Sequence, residues 1–195
     1  MIYTDMYSLV HEARTVRSFD MSRKADRTLL EELVDTARVA PSARNMQPLK
    51  YKLCCAEDEI KGITERTRWG GSTPEKRLPP EDREPSGFIV ICHDKFVCEK
   101  NDFSTMDVGI AAQTINLAAR EKGYGCCMLG AFDHDSVADF LLLPRTCEPV
   151  LIIAVGTPAE SPIICSVGED GGIGYFKDDA GLHFVPKRLL KDIIL

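Results

Sequence analysis

The chain has no run approaching the roughly 18 apolar residues needed to span a bilayer. Its opening, MIYTDMYSLVHEARTVR, scatters charges where a secretory signal would carry an apolar core. Both absences point to a cytoplasmic protein with no membrane partner. It also lacks a large basic block, and its net charge is −6, which argues against a nucleic-acid partner held by phosphate neutralisation. No CxxC occurs, and His11, His93, His134 and His183 complete no zinc spacing with the eight cysteines, so no metal site is expected. Two glycine-rich segments lack what a phosphate cradle needs. Gly123-Tyr124-Gly125 to Gly130 has the spacing GxGxxxxG and runs from helix into strand, so the helix N-terminus of a dinucleotide fold is missing. The loop at 168–174 has no P-loop lysine and reads as a connection.

What is present is ordinary for a globular protein. The 195 residues, 44% apolar and 28% charged, suit one domain spanning 1–195 with a real core. Cys54, Cys55, Cys92, Cys126 and Cys127 lie in apolar surroundings that read as strand, the setting of buried, reduced thiols. No cysteine is marked out as reactive.

The periodicity predicts a short amphipathic helix over 3–13, with Met6, Leu9, Val10 and Ala13 on one side. A second helix carries Leu29, Leu30, Leu33, Val34, Ala37 and Ala40, with Thr28 and Glu31 at capping-box spacing and Pro41 as its stop. Strands are expected at 49–56, 88–92 and 150–156, and a short helix at 58–66. The strongest helix spans 107–121, with a stripe of Ile110, Ala111, Thr114, Leu117, Ala118 and Glu121, and Gly123 ends it. Asp133 can cap a helix at 137–141, and a last amphipathic piece ends at Leu195. Residues 67–87, with four prolines and three glycines, are long for an idle connection and read as a variable loop or lid. Trp69, the only tryptophan, either closes that lid or tucks against the core.

Two stretches bear on chemistry. Arg14-Thr15-Val16-Arg17 places two guanidiniums around a hydroxyl, so both can reach one anion; the same cations would also suit a helix C-terminus. Pro41-Ser42-Ala43-Arg44-Asn45-Met46-Gln47-Pro48 is fixed by a proline at either end and filled with small or amide side chains. It is either a turn or a wall beside something flat.

Taken in order, these motifs resemble the nitroreductase family of FMN-dependent NAD(P)H oxidoreductases. The matching pieces continue with Asp107-Val108-Gly109-Ile110-Ala111-Ala112-Gln113, then Gly123-Tyr124-Gly125 through Gly130-Ala131-Phe132, then PVLIIAVGTP at 149–158 and Val185-Pro186-Lys187-Arg188. The resemblance covers most of the chain except about 60–87. It implies an α+β fold: a mainly antiparallel sheet flanked by helices, in an intertwined homodimer with tightly bound FMN at the interface and NAD(P)H as co-substrate. Arg14, Thr15 and Arg17, with Lys187 and Arg188, would meet the FMN phosphate. Pro41, Ser42, Ala43 and Asn45 would line the isoalloxazine from the partner subunit, and Leu129, Gly130 and Ala131 would pass along its other side. The expected reaction is ping-pong: hydride from NAD(P)H to flavin N5, then electrons to a nitroaromatic, quinone or activated alkene. The flavin carries the chemistry, so no catalytic side chain is expected. The chain departs from the family in having Ala13 where an arginine is common, and Leu129-Gly130-Ala131 where some members carry a glutamate. Alternative readings are a dehalogenase or peptide dehydrogenase of the same type, a flavin sensor or storage protein, and a plain interaction domain.

Overall fold

The computed structural model describes residues 5–70, 78–169 and 171–195. The expected lid at 67–87 therefore lies partly outside the described residues, at 71–77. Among the described residues no helix is long and apolar enough to cross a membrane.

The helices begin where short polar side chains can take up free N–H groups. Asp5 accepts from Ser8 N and starts α1 (Met6–Glu12). Asp26 accepts from Leu29 N at 2.9 Å and starts α2 (Arg27–Arg38). The expected Thr28–Glu31 capping box does not form, because Thr28 already lies in the first turn and Glu31 pairs with Arg27 at 2.8 Å. α3 (Glu57–Arg66) begins with Glu59 accepting from the N–H groups of Cys55 and Ala56. α4 (Asp102–Glu121) begins five residues earlier than its apolar stripe suggests, since Asn101 and Ser104 exchange side-chain and backbone hydrogen bonds. α5 (His134–Phe140) is capped by Asp133, as expected, and begins three residues before the expected 137.

The main sheet is antiparallel throughout. Its strands are β1 (Phe19–Asp20), β2 (Leu49–Cys54), β3 (Gly87–Asp94), β4 (Gly125–Leu129) and β5 (Cys147–Pro158). β5 is the organising strand: it pairs with β3 through Gly87↔Val155, with β4 through Gly125↔Gly156 and with β1 through Phe19↔Pro158. β2 adds to the far side of β3. Side chains alternate between two cores. Ile89, Ile91, Ile153 and Val155 pack with Leu30 and Leu33 of α2 and Ile115 and Ala119 of α4. Phe88, Val90, Ile152 and Ala154 pack on the other face with Ile63 of α3 and Val137 of α5. Covering both faces explains why β3 and β5 read as continuous apolar runs.

The expected stripe of α4 is buried only in part, at Ala111 and Ala118, and the buried face is turned from it. Ala112, Ile115 and Ala119 point into the core, whereas Ile110 is 41% exposed. Trp69 is half-buried, meets Phe19 edge-on at 6.5 Å and donates from Nε1 to Thr67 Oγ1 at 2.9 Å, so it tucks against the core. After β5 the tail forms a second sheet of β6 (Ile163–Ser166), β7 (Phe176–Lys177) and β8 (His183–Lys187), in which β6 and β8 are parallel. The expected final amphipathic piece is only an exposed 3-10 turn at Leu190–Asp192.

Candidate functional site

The stretch 14–17 lies along β4. Thr15 bridges Cys126, and Val16 N–H donates to Cys126 O at 2.9 Å. Val16 and Phe19 are buried, which fixes the backbone and leaves the polar residues between them at the surface of the second core. Arg14 does cap α1, donating from Nη2 to Val10 O at 2.5 Å, yet its Nε is buried without a partner. Burial lowers its pKa below the usual arginine value. Arg17 lies with its guanidinium over the Tyr175 ring at 5.3 Å, and its Nε is likewise buried and unpaired. Both arginines thus hold one buried Nε–H donor without a partner, as Arg66 and Arg120 also do, so their place beside β4 is what sets them apart.

β4 continues from Cys126 to Leu129 and emerges at Gly130 and Ala131, both exposed. Gly130 is four residues beyond Cys126, about 13 Å along an extended strand. A Cβ built on Gly130 would meet no atom within 4 Å, so the strand end faces open space. Arg68 N–H donates to Ala131 O at 2.8 Å, which holds the segment after α3 beside this exit. The structure therefore brings Arg14, Thr15, Arg17, Leu129, Gly130 and Ala131 onto one strand edge.

Pro41, Ser42, Ala43 and Asn45 lie elsewhere. Ser42 Oγ donates to Asp107 Oδ2 at 2.6 Å, and Ala43 N–H donates to Asp107 Oδ1 at 3.2 Å. Gln47 N–H donates to Ser42 Oγ at 3.0 Å. Arg44, Asn45 and Gln47 take left-handed φ values of 54°, 55° and 52°, a costly conformation for non-glycine residues that Asp107 helps to hold. A cavity of about 240 Å³ opens beside Pro41 and Ser42, and one of about 390 Å³ beside Ala43 and Arg44; Asp107 lines both. This loop leads into β2, which is three strand positions from β4, about 14 Å across the sheet. One chain does not bring the loop and Gly130 together.

Lys187 ends β8 and Arg188 follows it; both are exposed, and neither side chain forms an ion pair among the described residues. The β8 residue that approaches Arg17 is His183. Its ring meets Tyr175 edge-on at 5.3 Å, and its Nδ1 lies 3.8 Å from Glu160 Oε2. Glu160 Oε1 in turn accepts from Arg17 N–H at 2.5 Å. Glu160, Tyr175 and His183 escaped the sequence reading because no local pattern links them to Arg17.

All eight cysteines are free thiols; Cys54, Cys92, Cys126 and Cys127 are buried, and Cys55 is only half-buried. Burial pushes the Cys54 and Cys92 thiols up to about 12 and Cys127 to about 11. Among the described residues no group of three or more His, Cys, Asp or Glu side chains is placed to hold a metal ion.

An antiparallel sheet between helical layers, with a cationic motif and a small-residue exit on one edge strand, matches the nitroreductase pattern. The family profile described as "Nitroreductase family" matches residues 10–84 and 89–157, and the chain belongs to that family of oxidoreductases. A Methanothermobacter thermautotrophicus protein, provisionally named NADH dehydrogenase/NAD(P)H nitroreductase, is 23% identical over 162 residues, 81% of this chain and 80% of its own. A solved structure from Staphylococcus epidermidis, provisionally described as an NAD(P)H:FMN oxidoreductase, matches with a TM-score of 0.68 at 19% identity, covering 83% of this chain and 90% of its own. A provisionally assigned nitroreductase from Exiguobacterium sibiricum, solved in complex with FMN, gives 0.67 at 17% identity over 82% and 91% of the two chains. These likenesses establish the α+β nitroreductase fold.

Proposed function

We propose that the chain is an FMN-binding domain of a homodimeric oxidoreductase that moves reducing equivalents from NAD(P)H to an electron-poor small molecule such as a nitroaromatic, quinone or activated alkene. The observation that carries the proposal is the pair of buried, unpaired Nε–H donors on Arg14 and Arg17, on the strand edge that ends at exposed Gly130. The residues fit FMN at both ends. Guanidiniums with free donors suit a dianionic phosphate, and a glycine exit bare of side chain suits the edge of a planar ring. The relative solved with FMN supports the same ligand.

In this reading Arg14, Thr15 and Arg17 hold the phosphate, and Lys187 and Arg188 add positive charge from the tail. Leu129, Gly130 and Ala131 lie along one side of the ring. Pro41, Ser42, Ala43 and Asn45 close the other side from the second chain, because their own chain holds them three strands away. When bound, FMN supplies the two-electron chemistry, accepting hydride from NAD(P)H and reducing the acceptor in turn. The side chains bind, orient and shield; none is assigned a proton-transfer role.

An apolar surface supports dimerisation. Phe103, Met106 and Ile110 are exposed at i, i+3 and i+7 on α4, and Met6, Tyr7 and Val10 are exposed on α1. A cytoplasmic location suits eight free thiols.

The test is the absorbance spectrum of the purified protein, with its mass in solution. Bands near ~370 and ~450 nm, the marks of an oxidised flavin cofactor, a mass twice that of the chain, and NAD(P)H oxidation that depends on added quinone are expected. A colourless protein that stays colourless after incubation with FMN would overturn the reading.

A further inference from the structure

The carboxylate of Glu160 stands at the anion end of the proposed site. Its Oε1 accepts from Arg17 N–H at 2.5 Å, and its side chain is only 18% exposed. It is not there by loose chance: Ala159 N–H donates to Ser18 O at 2.9 Å, and Pro158 pairs with Phe19, so the backbone on either side of Arg17 and Glu160 is tied together. The surrounding groups are few. Cys127 faces both residues from β4, Tyr175 lies under the Arg17 guanidinium, and His183 comes from β8 with Lys177 of β7 beyond it. The Glu160 carboxylate thus occupies the backbone N–H of Arg17 and puts a fixed negative charge beside that residue.

We propose that Glu160 is a specificity-determining residue of the flavin site: its charge, fixed on the Arg17 backbone, opposes the FMN phosphate, so the protein prefers FMN to flavin without a phosphate by less than its cationic residues alone would give. The inference rests on the flavin reading above. A carboxylate close to a phosphate dianion repels it, and that repulsion is large where both are shielded from water. The ring end lies along β4 at Gly130, about 13 Å from the Thr15–Cys126 bridge, so a flavin lacking the phosphate escapes the effect.

The experiment titrates the full-length apoprotein with FMN and with riboflavin, following flavin fluorescence, for the wild type, Glu160→Gln and Glu160→Ala. Gln keeps an acceptor for Arg17 N–H and removes only the charge; Ala removes both. FMN is expected to bind about tenfold more tightly to Glu160→Gln, the size of one like-charge contact, and at least as tightly to Glu160→Ala. Riboflavin should bind all three proteins equally. If the wild type binds FMN and neither variant binds it more tightly, or if both flavins tighten together, the role of Glu160 is refuted while the flavin reading stands. If the wild type binds neither flavin, both fall. The wild type supplies a check that needs no variant: its preference for FMN over riboflavin should be about a hundredfold, tenfold below the roughly thousandfold that two unopposed charge-assisted contacts would give. A preference near the larger figure would also refute the proposal.

Discussion

Ser42 Oγ lies 2.6 Å from Asp107 Oδ2, a bond between residues 65 apart in sequence that ties the 41–48 loop to the second turn of α4. Asp107 is 6% exposed and also accepts from Ala43 N–H. It holds in place a loop with three left-handed non-glycine residues, whose strain would otherwise be relieved by rearrangement.

Asp107→Ala removes both acceptors and leaves the Ala43 N–H and the Ser42 hydroxyl without them. The expected loss is about 2 kcal/mol of stability, the scale of one lost charge-assisted bond beside a partly exposed second one. Urea denaturation measures it. Asp107→Asn, which can still accept one of the two bonds, should lose about half as much. If the loop walls the flavin of the partner chain, both variants also bind FMN less tightly, in the same order.

Two glycines, one opening β4 and one just past its end, separate packing from binding. A Cβ on Gly125 would sit 2.7 Å from Val16 Cγ2 and 3.1 Å from Pro158 Cγ, so Gly125→Ala should cost about 1–3 kcal/mol by overpacking. It also displaces Val16, which stands between Thr15 and Arg17. At Gly130 the same substitution meets nothing, and its effect on stability should stay within about 0.5 kcal/mol. Because Gly130 lies on the proposed ring side, Gly130→Ala should nevertheless weaken FMN and riboflavin alike. Thermal melts and flavin titrations of the two variants give opposite rankings if the site is where we place it.

How much of this was legible in the sequence depends on the range of the interaction. Asp133 caps its helix by touching a residue three positions on, and the apolar runs of β3 and β5 announce strands covered on both faces; at α2 the same local rule points to Thr28, two residues past the actual cap, Asp26. α4 was harder, because Phe103, Met106 and Ile110 form one apolar stripe and Ala112, Ile115 and Ala119 another. Periodicity alone cannot say which stripe meets the sheet. In the site, 14–17, 41–45 and 129–131 are contiguous stretches with recognisable chemistry. Glu160 and His183 reach Arg17 only through folding, since the Arg17–Glu160 bond spans 143 positions.

The arginine pair gives the most direct test of the anion end. Arg17→Ala should weaken FMN about 10–100-fold, as loss of a charge-assisted contact to phosphate does. Arg14→Ala should have a similar effect and should also loosen α1, whose last turn loses the bond to Val10 O. Riboflavin affinity should be unchanged in Arg17→Ala. If Arg17→Ala retains full FMN at high dilution, the phosphate is bound elsewhere.

The buried thiols make stability depend on alkaline pH. Cys54 and Cys92 are pushed up to about 12 and Cys127 to about 11, in each case chiefly by burial, and Cys126 is shifted the same way. Below the ordinary thiol pKa, about 8.5, folded and unfolded chains are both protonated at these positions and the thiols contribute no pH dependence. Above it the unfolded chain ionises first and binds fewer protons than the folded one, so the free energy of unfolding falls as pH rises. The decline begins near the unfolded value and continues until the folded thiols themselves ionise. Urea midpoints measured from pH 7 to 11 should therefore be flat and then drop above about pH 9. Cys127→Ser, which removes one thiol from the set, should make the drop shallower. The same burial predicts that a thiol-specific reagent at pH 8 leaves these four cysteines unmodified in the native protein, while urea exposes them all. Rapid native modification of Cys127 would show that the β4 edge beside Arg17 is far more open than its packing against Val16 and Leu129 indicates.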